Sequence, residues 1–293
     1  MANTPTNIAA SVRQRLRNHA RESEQVFDVV LVAYGLERLI YRLSISDYRN
    51  RYVLKGGMLV TLWTIDPGRF TRDVDFLAFG DEDEPTLIRE FTDILAIDAE
   101  DGLIFDTADI TAAPIRDDQV YGGMRLRTTA NLDGAQIPIT IDLGFGDALG
   151  EPEYEVDYGS LLEMPSASIR AYSPATVMAE KFQAVMALGV VNSRMKDYYD
   201  LYAVPRAVEV TDGDLGAAIK ATFVRRQTDV PTITPPGLSD AFTSDPAKQT
   251  QWAAYSEATD ISDLSLADVA TDIWARLEPV CKQIQQDTKP AHH

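Results

Sequence analysis

Hydrophobic residues recur along this chain at two different spacings, and the change between them divides it. From residue 7 to about 48 they fall three and four apart, with Val29, Val30, Val32, Ala33, Leu36, Leu39 and Ile40 on one side. This predicts two helices, the second packed on a core. From 50 to about 150, short apolar runs predict strands: one ending at 52–54, one over 73–79, others near 103–110 and 124–129, and one over 137–145. Helices are predicted from Met58 and over 84–97. In the 137–145 run, Ile137, Ile139 and Ile141 alternate with Thr140, Asp142 and Gly144, so one face is apolar and the other carries a single acid. Helical spacing returns from about 165. One helix opens at Pro174 and runs to about Leu188, since proline is tolerated in a first turn. A second starts near Ser193, a residue suited to cap it. Residues 229–236 form a non-helical connector, after which 252–255 and 261–284 are helical again. The order predicts an α+β, bilobed protein. Residues 1–165 hold the N-terminal helices and an α/β core, residues 166–293 form a helical lobe, and a site is expected in the cleft between them.

The strand region carries candidate chemistry. Asp73 and Asp75 alternate with Val74 and Phe76, so both acids share one face, with Cα atoms about 6.5–7 Å apart. Carboxylates held so close repel unless a cation sits between them. Mg²⁺ suits them, because it takes hard oxygen ligands and shares its shell with phosphates and water. Solvated acids at a strand end would show the same pattern. Asp142 is a lone acid on an otherwise uncharged strand. If that strand neighbours the first, Asp142 is a general base for an attacking hydroxyl or a further metal ligand; otherwise it is a solvent-facing residue.

Gly56 and Gly57 lie sixteen residues or so before these acids, at a predicted strand-to-helix turn. Without side chains their amides can close on a phosphate at the positive end of a helix. A tight turn without ligand is the alternative, and Gly122-Gly123 is read as one. Neither a Walker sequence nor G-x-G-x-x-G is present. Lys181 falls among Met178, Phe182, Val185 and Met186, where a charge must be paired, snorkel to water or face an anionic ligand. Asp197 and Asp200 are i, i+3 neighbours on the next helix.

Four segments carry a family resemblance: Leu54-Lys55-Gly56-Gly57, Arg72-Asp73-Val74-Asp75-Phe76, Ala179-Glu180-Lys181-Phe182-Gln183-Ala184, and Arg194-Met195-Lys196-Asp197-Tyr198-Tyr199-Asp200-Leu201. The chain resembles the AbiEii/AbiGii-type toxins, the nucleotidyltransferase halves of type IV toxin–antitoxin systems. These include the MenT toxins and belong to the DNA polymerase β-like nucleotidyltransferase superfamily. The first two segments are common to many transferases; the last two, in this order, make the likeness specific. It spans about residues 30 to 205 clearly. The resemblance implies a polymerase β-like core with a mixed sheet and a mainly helical C-terminal lobe. It implies metal-dependent transfer of a nucleoside monophosphate from an NTP to an acceptor hydroxyl, releasing pyrophosphate. Asp73, Asp75 and Asp142 would hold Mg²⁺ or Mn²⁺; Lys55, Gly56, Gly57, Arg72 and Lys181 would meet the nucleotide; Asp197 would orient Lys181 or receive a proton. The implied acceptor is the tRNA 3′ end, whose modification blocks translation and serves phage defence. The implied partner is an antitoxin, AbiEi-like or a kinase. Met58 departs from the pattern, because Ser or Thr often follows the glycines; phosphate binding is left to the backbone.

Composition narrows the partners. At 293 residues, 45% apolar and 25% charged, the chain has ample core for one large or two smaller domains. No apolar run reaches membrane-spanning length and residues 1–5 lack signal-peptide character, so a cytoplasmic protein without membrane contact is expected. The single Cys281 excludes an intrachain disulfide, and three histidines assemble no zinc site or triad. A net charge of -18 runs against generic nucleic-acid binding. Arginines cluster locally, however, at 13–21, 69 and 72, 125 and 127, and 225–226, so a focused patch could guide an RNA end. Two other classes stay open: the same chemistry on a small molecule such as an antibiotic, and a non-catalytic NTP-binding module acting through a protein partner.

Overall fold

Helices α1 (Ile8–Glu22) and α2 (Phe27–Ser44) occupy the segment where apolar residues fall three and four apart. The Asn7 side chain accepts from the Ala10 amide and starts the first of them. They belong to a computed structural model describing residues 7–115, 122–146 and 154–288. Residues 1–5, read for signal character, and the terminal histidines lie outside the described residues. Two compact units emerge. One takes the described residues up to Leu62 and between Phe70 and Ala171; the other takes Trp63–Arg69 and the chain from Tyr172 on.

In the first unit the order continues β1 (Tyr52–Lys55), α3 (Gly57–Thr64), β2 (Val74–Ala78), α4 (Glu84–Leu95), β3 (Ile104–Phe105), β4 (Thr111–Ile115), β5 (Gly123–Leu132), β6 (Ala135–Phe145), β7 (Glu155–Tyr158) and β8 (Ala167–Arg170). Strands β1-β2-β6-β5-β3 form one mixed sheet with β4 beside β5; β7 and β8 pair separately. Only β2 and β6 run parallel in it, among the described residues. The alternation read in the sequence sets its faces: Ile137, Ile139 and Ile141 are buried, each such burial stabilising by about 1.5–3 kcal/mol. Helix α2 covers this face, with Gly35 so close that a Cβ would lie 2.9 Å from the Ile139 Cδ1. Arg38 and Arg42 on α2 both donate to the buried Asp101, which ties the helix to the turn before β3.

Several boundaries differ from expectation. The 103–110 run is no single strand, because Asp106 accepts from the Ala108 amide and turns the chain after Phe105. Gly123 opens β5 and pairs with Gly144, so the glycine pair at 122–123 is not purely a turn. The helix expected over 261–284 begins at Leu266, where the Ser265 hydroxyl accepts from the Asp268 amide.

The second unit is helical: α5 (Pro174–Leu188), α6 (Met195–Ala207), α7 (Asp212–Arg225), α8 (Asp240–Thr243), α9 (Pro246–Ser256) and α10 (Leu266–Thr288). Ser173 caps α5 by accepting from the Thr176 amide, with Pro174 in the first turn. At α6 the cap position is Arg194, one residue after the expected Ser193. The fully buried Asn192 accepts from the Arg194 amide and holds the turn in place until there. Segment 63–69 joins this unit through Tyr199, whose hydroxyl donates to Asp66 at 2.6 Å. Cys281 is buried in α10, and burial pushes its thiol up to about 12. Among the described residues no helix is long and apolar enough to cross a membrane.

Candidate active site

The sheet's register assembles a row of charge across four strands. Lys55 on β1 stands opposite Asp75 on β2, Asp75 beside Asp142 on β6, and Asp142 opposite Arg125 on β5. Cross-strand partners face the same side, so two neighbouring carboxylates are bracketed by two cations. Arg125 donates from Nε and Nη2 to the two oxygens of Asp142, at 2.6 and 2.5 Å. These bonds, outweighing burial, raise the guanidinium pKa, and the charges of Asp142, Asp73 and Asp75 add to the rise. Gly144 leaves room on the same face: a Cβ there would sit 3.4 Å from the Lys55 Nζ. Asp73 precedes β2 and accepts from the Thr71 hydroxyl at 2.6 Å. Arg72 is exposed, with its guanidinium over the Phe70 ring.

The glycine turn is built around Asp75. Gly56 has φ +72°, and a Cβ on it would fall 2.0 Å from the Asp75 Oδ2. Only a residue without a side chain lets that carboxylate lie over the turn from which α3 starts. Met58, where a hydroxyl residue is common in the resemblance, is buried in the core. Gly56→Ala therefore combines a left-handed backbone cost of about 1–2 kcal/mol with a displaced Asp75. We expect a lowered melting temperature and, in a labelled-NTP assay, loss of most transfer; wild-type values for both would remove the turn from the site.

The other expected residues lie in the second unit. Lys181 on α5 has a largely buried side chain and meets Asp197 at 3.0 Å and Asp200 at 2.5 Å, both on α6. Asp200 is itself held by Arg69, from Nε at 2.6 Å and Nη2 at 2.8 Å, and Asp197 meets Arg194 at 2.9 Å. Burial alone would lower the Lys181 pKa, but the charges of Asp197 and Asp200 outweigh it and raise it. Burial alone would raise that of Asp200, but Lys181 and Arg69 hold it below the usual carboxylate value. The i, i+3 spacing foretold that the two acids adjoin. Neither the Arg69–Asp200 pair nor the Arg125–Asp142 pair carried a sequence signal, beyond arginines standing near the motifs.

Whether the first unit suits a hard divalent cation rests on its donors. Asp73 and Asp75 offer carboxylate oxygens, and the missing Cβ of Gly56 is what lets the Asp75 carboxylate lie over the turn. One or two carboxylates with substrate phosphates are a usual Mg²⁺ set, so the residues fit. Asp142 is committed to Arg125. Among the described residues no group of three His, Cys, Asp or Glu side chains stands ready to hold an ion without substrate.

Comparison with known proteins bears on what such a site does. The model of a family described as nucleotidyl transferase AbiEii toxin, type IV TA system, matches residues 38–273. No curated protein matches. Among solved structures, a protein provisionally described as a nucleotidyltransferase from H. pylori is 17% identical, with a TM-score of 0.49 over 90% of this chain and 98% of that one. JHP933 from Helicobacter pylori is 16% identical, TM-score 0.48, over 87% and 92%. An antigenic nucleotidyltransferase-like protein from Paracoccidioides brasiliensis is 14% identical, TM-score 0.41, over 86% and 92%. At these values the structural likenesses bear on neither substrate nor role.

Proposed function

The chain belongs to the AbiEii nucleotidyltransferase toxin family of type IV toxin–antitoxin systems, and from that premise we propose that it transfers a nucleoside monophosphate to the 3′ end of tRNA, blocking translation. Family membership makes it a nucleotidyltransferase, with a nucleoside triphosphate as donor and an antitoxin as partner. The observation that carries the finer reading is the row Lys55–Asp75–Asp142–Arg125 beside the Gly56 turn.

In the proposed reaction an acceptor hydroxyl oxygen attacks the α-phosphorus, the bond to the β-phosphate oxygen breaks, and pyrophosphate leaves. Asp73 and Asp75 would hold Mg²⁺ or Mn²⁺, which supplies charge stabilisation to the phosphoryl oxygens when bound. Gly56 and Gly57 present backbone amides to phosphate at the start of α3, and Lys55 and Arg125 keep the row from carrying uncompensated negative charge. Asp142 takes the acceptor's proton, for which one of its two bonds from Arg125 must open. On the family pattern Lys181 and Arg72 are assigned to the nucleotide, and Asp197 to orienting Lys181 or receiving a proton. An AbiEi-like antitoxin or a kinase would silence the activity, and phage defence is the setting this implies.

The net charge of -18 favours a second reading, a small-molecule acceptor such as an antibiotic, because RNA is repelled by an acidic exterior. Each of the four NTPs, labelled at the α-phosphate, incubated separately with deproteinised cellular RNA and with aminoglycosides, separates the two. We expect label on tRNA, lost with chelator. Label on the aminoglycoside alone would move the assignment to the second reading.

A further inference from the structure

A second feature of the first unit says how an acceptor RNA could be held, and it rests on the transfer to RNA proposed above. Between the start of α2, the Phe70–Arg72 segment and the start of β6 lies a cavity of about 310 Å³. We propose that it is a subsite for one unpaired, amine-bearing base of the acceptor. Its size sits at the small end of ligand pockets, roughly 300–1,000 Å³, which suits a base with its ribose better than a whole NTP.

Its walls carry the chemistry of an unstacked base. Val29 and Val32 have the spacing of core residues but stay half-buried because they line this cavity, and Val26 at the rim is 68% exposed. Phe70 is 42% exposed, and the Arg72 guanidinium lies over its ring, 5.6 Å from the centroid. An exposed ring joined to a guanidinium plane is a platform on which single-stranded bases stack. Asp28, exposed on the first turn of α2, puts a carboxylate at the same cavity. It repels phosphate, so the cavity takes the uncharged part of a nucleotide. It also accepts a hydrogen bond from an exocyclic amine, as acids do from cytosine N4. Uracil has no such amine, whereas the C, C and A of a tRNA 3′ end each have one. Thr71 fixes the location: it lines the cavity, and its hydroxyl donates to Asp73. A base bound here therefore lies one side chain from the carboxylates that the reaction uses.

The test uses the full chain and 5′-labelled single-stranded RNAs ending in CCA or UUU, read by fluorescence anisotropy, with binding of a fluorescent NTP measured separately. Wild type is expected to prefer the CCA end. Phe70→Ala should weaken that RNA about tenfold, and Asp28→Asn should erase the preference over UUU while its NTP binding stays unchanged. Asp28→Asn, at an exposed position, carries the test should Phe70→Ala fail to fold. RNA binding and transfer that are untouched by both substitutions would overturn the subsite and leave the transfer reading standing. A wild type that binds NTP yet neither binds nor labels RNA would overturn both.

Discussion

Asp75→Asn is expected to lose nucleotide transfer by at least about a thousandfold, roughly 4 kcal/mol of transition-state stabilisation, while its stability stays within about 1 kcal/mol of wild type. Asparagine keeps the shape that lies over Gly56, so the turn into α3 has no cause to move. What disappears is the charge that Asp75, beside Asp142 in the register, would offer to a divalent cation. Initial rates with α-labelled NTP, read beside a thermal melt, decide it. Transfer within tenfold of wild type, in a folded variant, would remove the carboxylate row from the chemistry. Growth inhibition persisting in an Asp73→Ala variant without transfer would instead support the non-enzymatic, partner-mediated reading.

The second large effect is on stability. Asp200 is fully buried and balances both Arg69 and Lys181. In Asp200→Asn those cations remain buried with a neutral amide, and breaking a buried ion pair from one side costs about 3–5 kcal/mol. The urea midpoint should fall accordingly at pH 7, at an unchanged slope. The pH dependence has a definite sign. The Asp200 pKa is lowered on folding, so its contribution is present above the ordinary value of 3.8 and is lost as pH falls through the folded value. The Lys181 pKa is raised, so its contribution is present below 10.5 and is lost as pH rises through the folded value. Asp260, raised by burial and by its hydrogen bond with Asp66, works against Asp200 on the acid side. The gap between wild type and Asp200→Asn should therefore be widest between 3.8 and 10.5 and close below that range. A gap under 1 kcal/mol at pH 7 would mean that the network contributes little beyond its own desolvation cost.

Much of the scaffold was legible because it depends on local periodicity. The helix carrying Val30 and Leu39, the strand bearing Asp142 and the helix opened by Pro174 follow from side-chain spacing and caps. Errors fell where a short polar bond overrode the pattern: Asp106 bending the chain after Phe105, and Asn192 delaying α6 to Met195. The cavity beside Thr71 was hidden for a related reason. Val29 and Val32 have core spacing, and spacing cannot say whether a neighbour fills the space they face.

Sequence by itself determined that Asp142 opposes its isoleucines and that a glycine turn leads into α3. Each is a consequence of backbone geometry over a few residues. The tertiary structure alone decided that β2 lies parallel to β6, so that Asp75 meets Asp142, that Arg125 closes on Asp142, and that Arg69 reaches Asp200 across 131 residues. Such pairings are set by which apolar faces pack together and in what register, and no local stretch of chain holds that information.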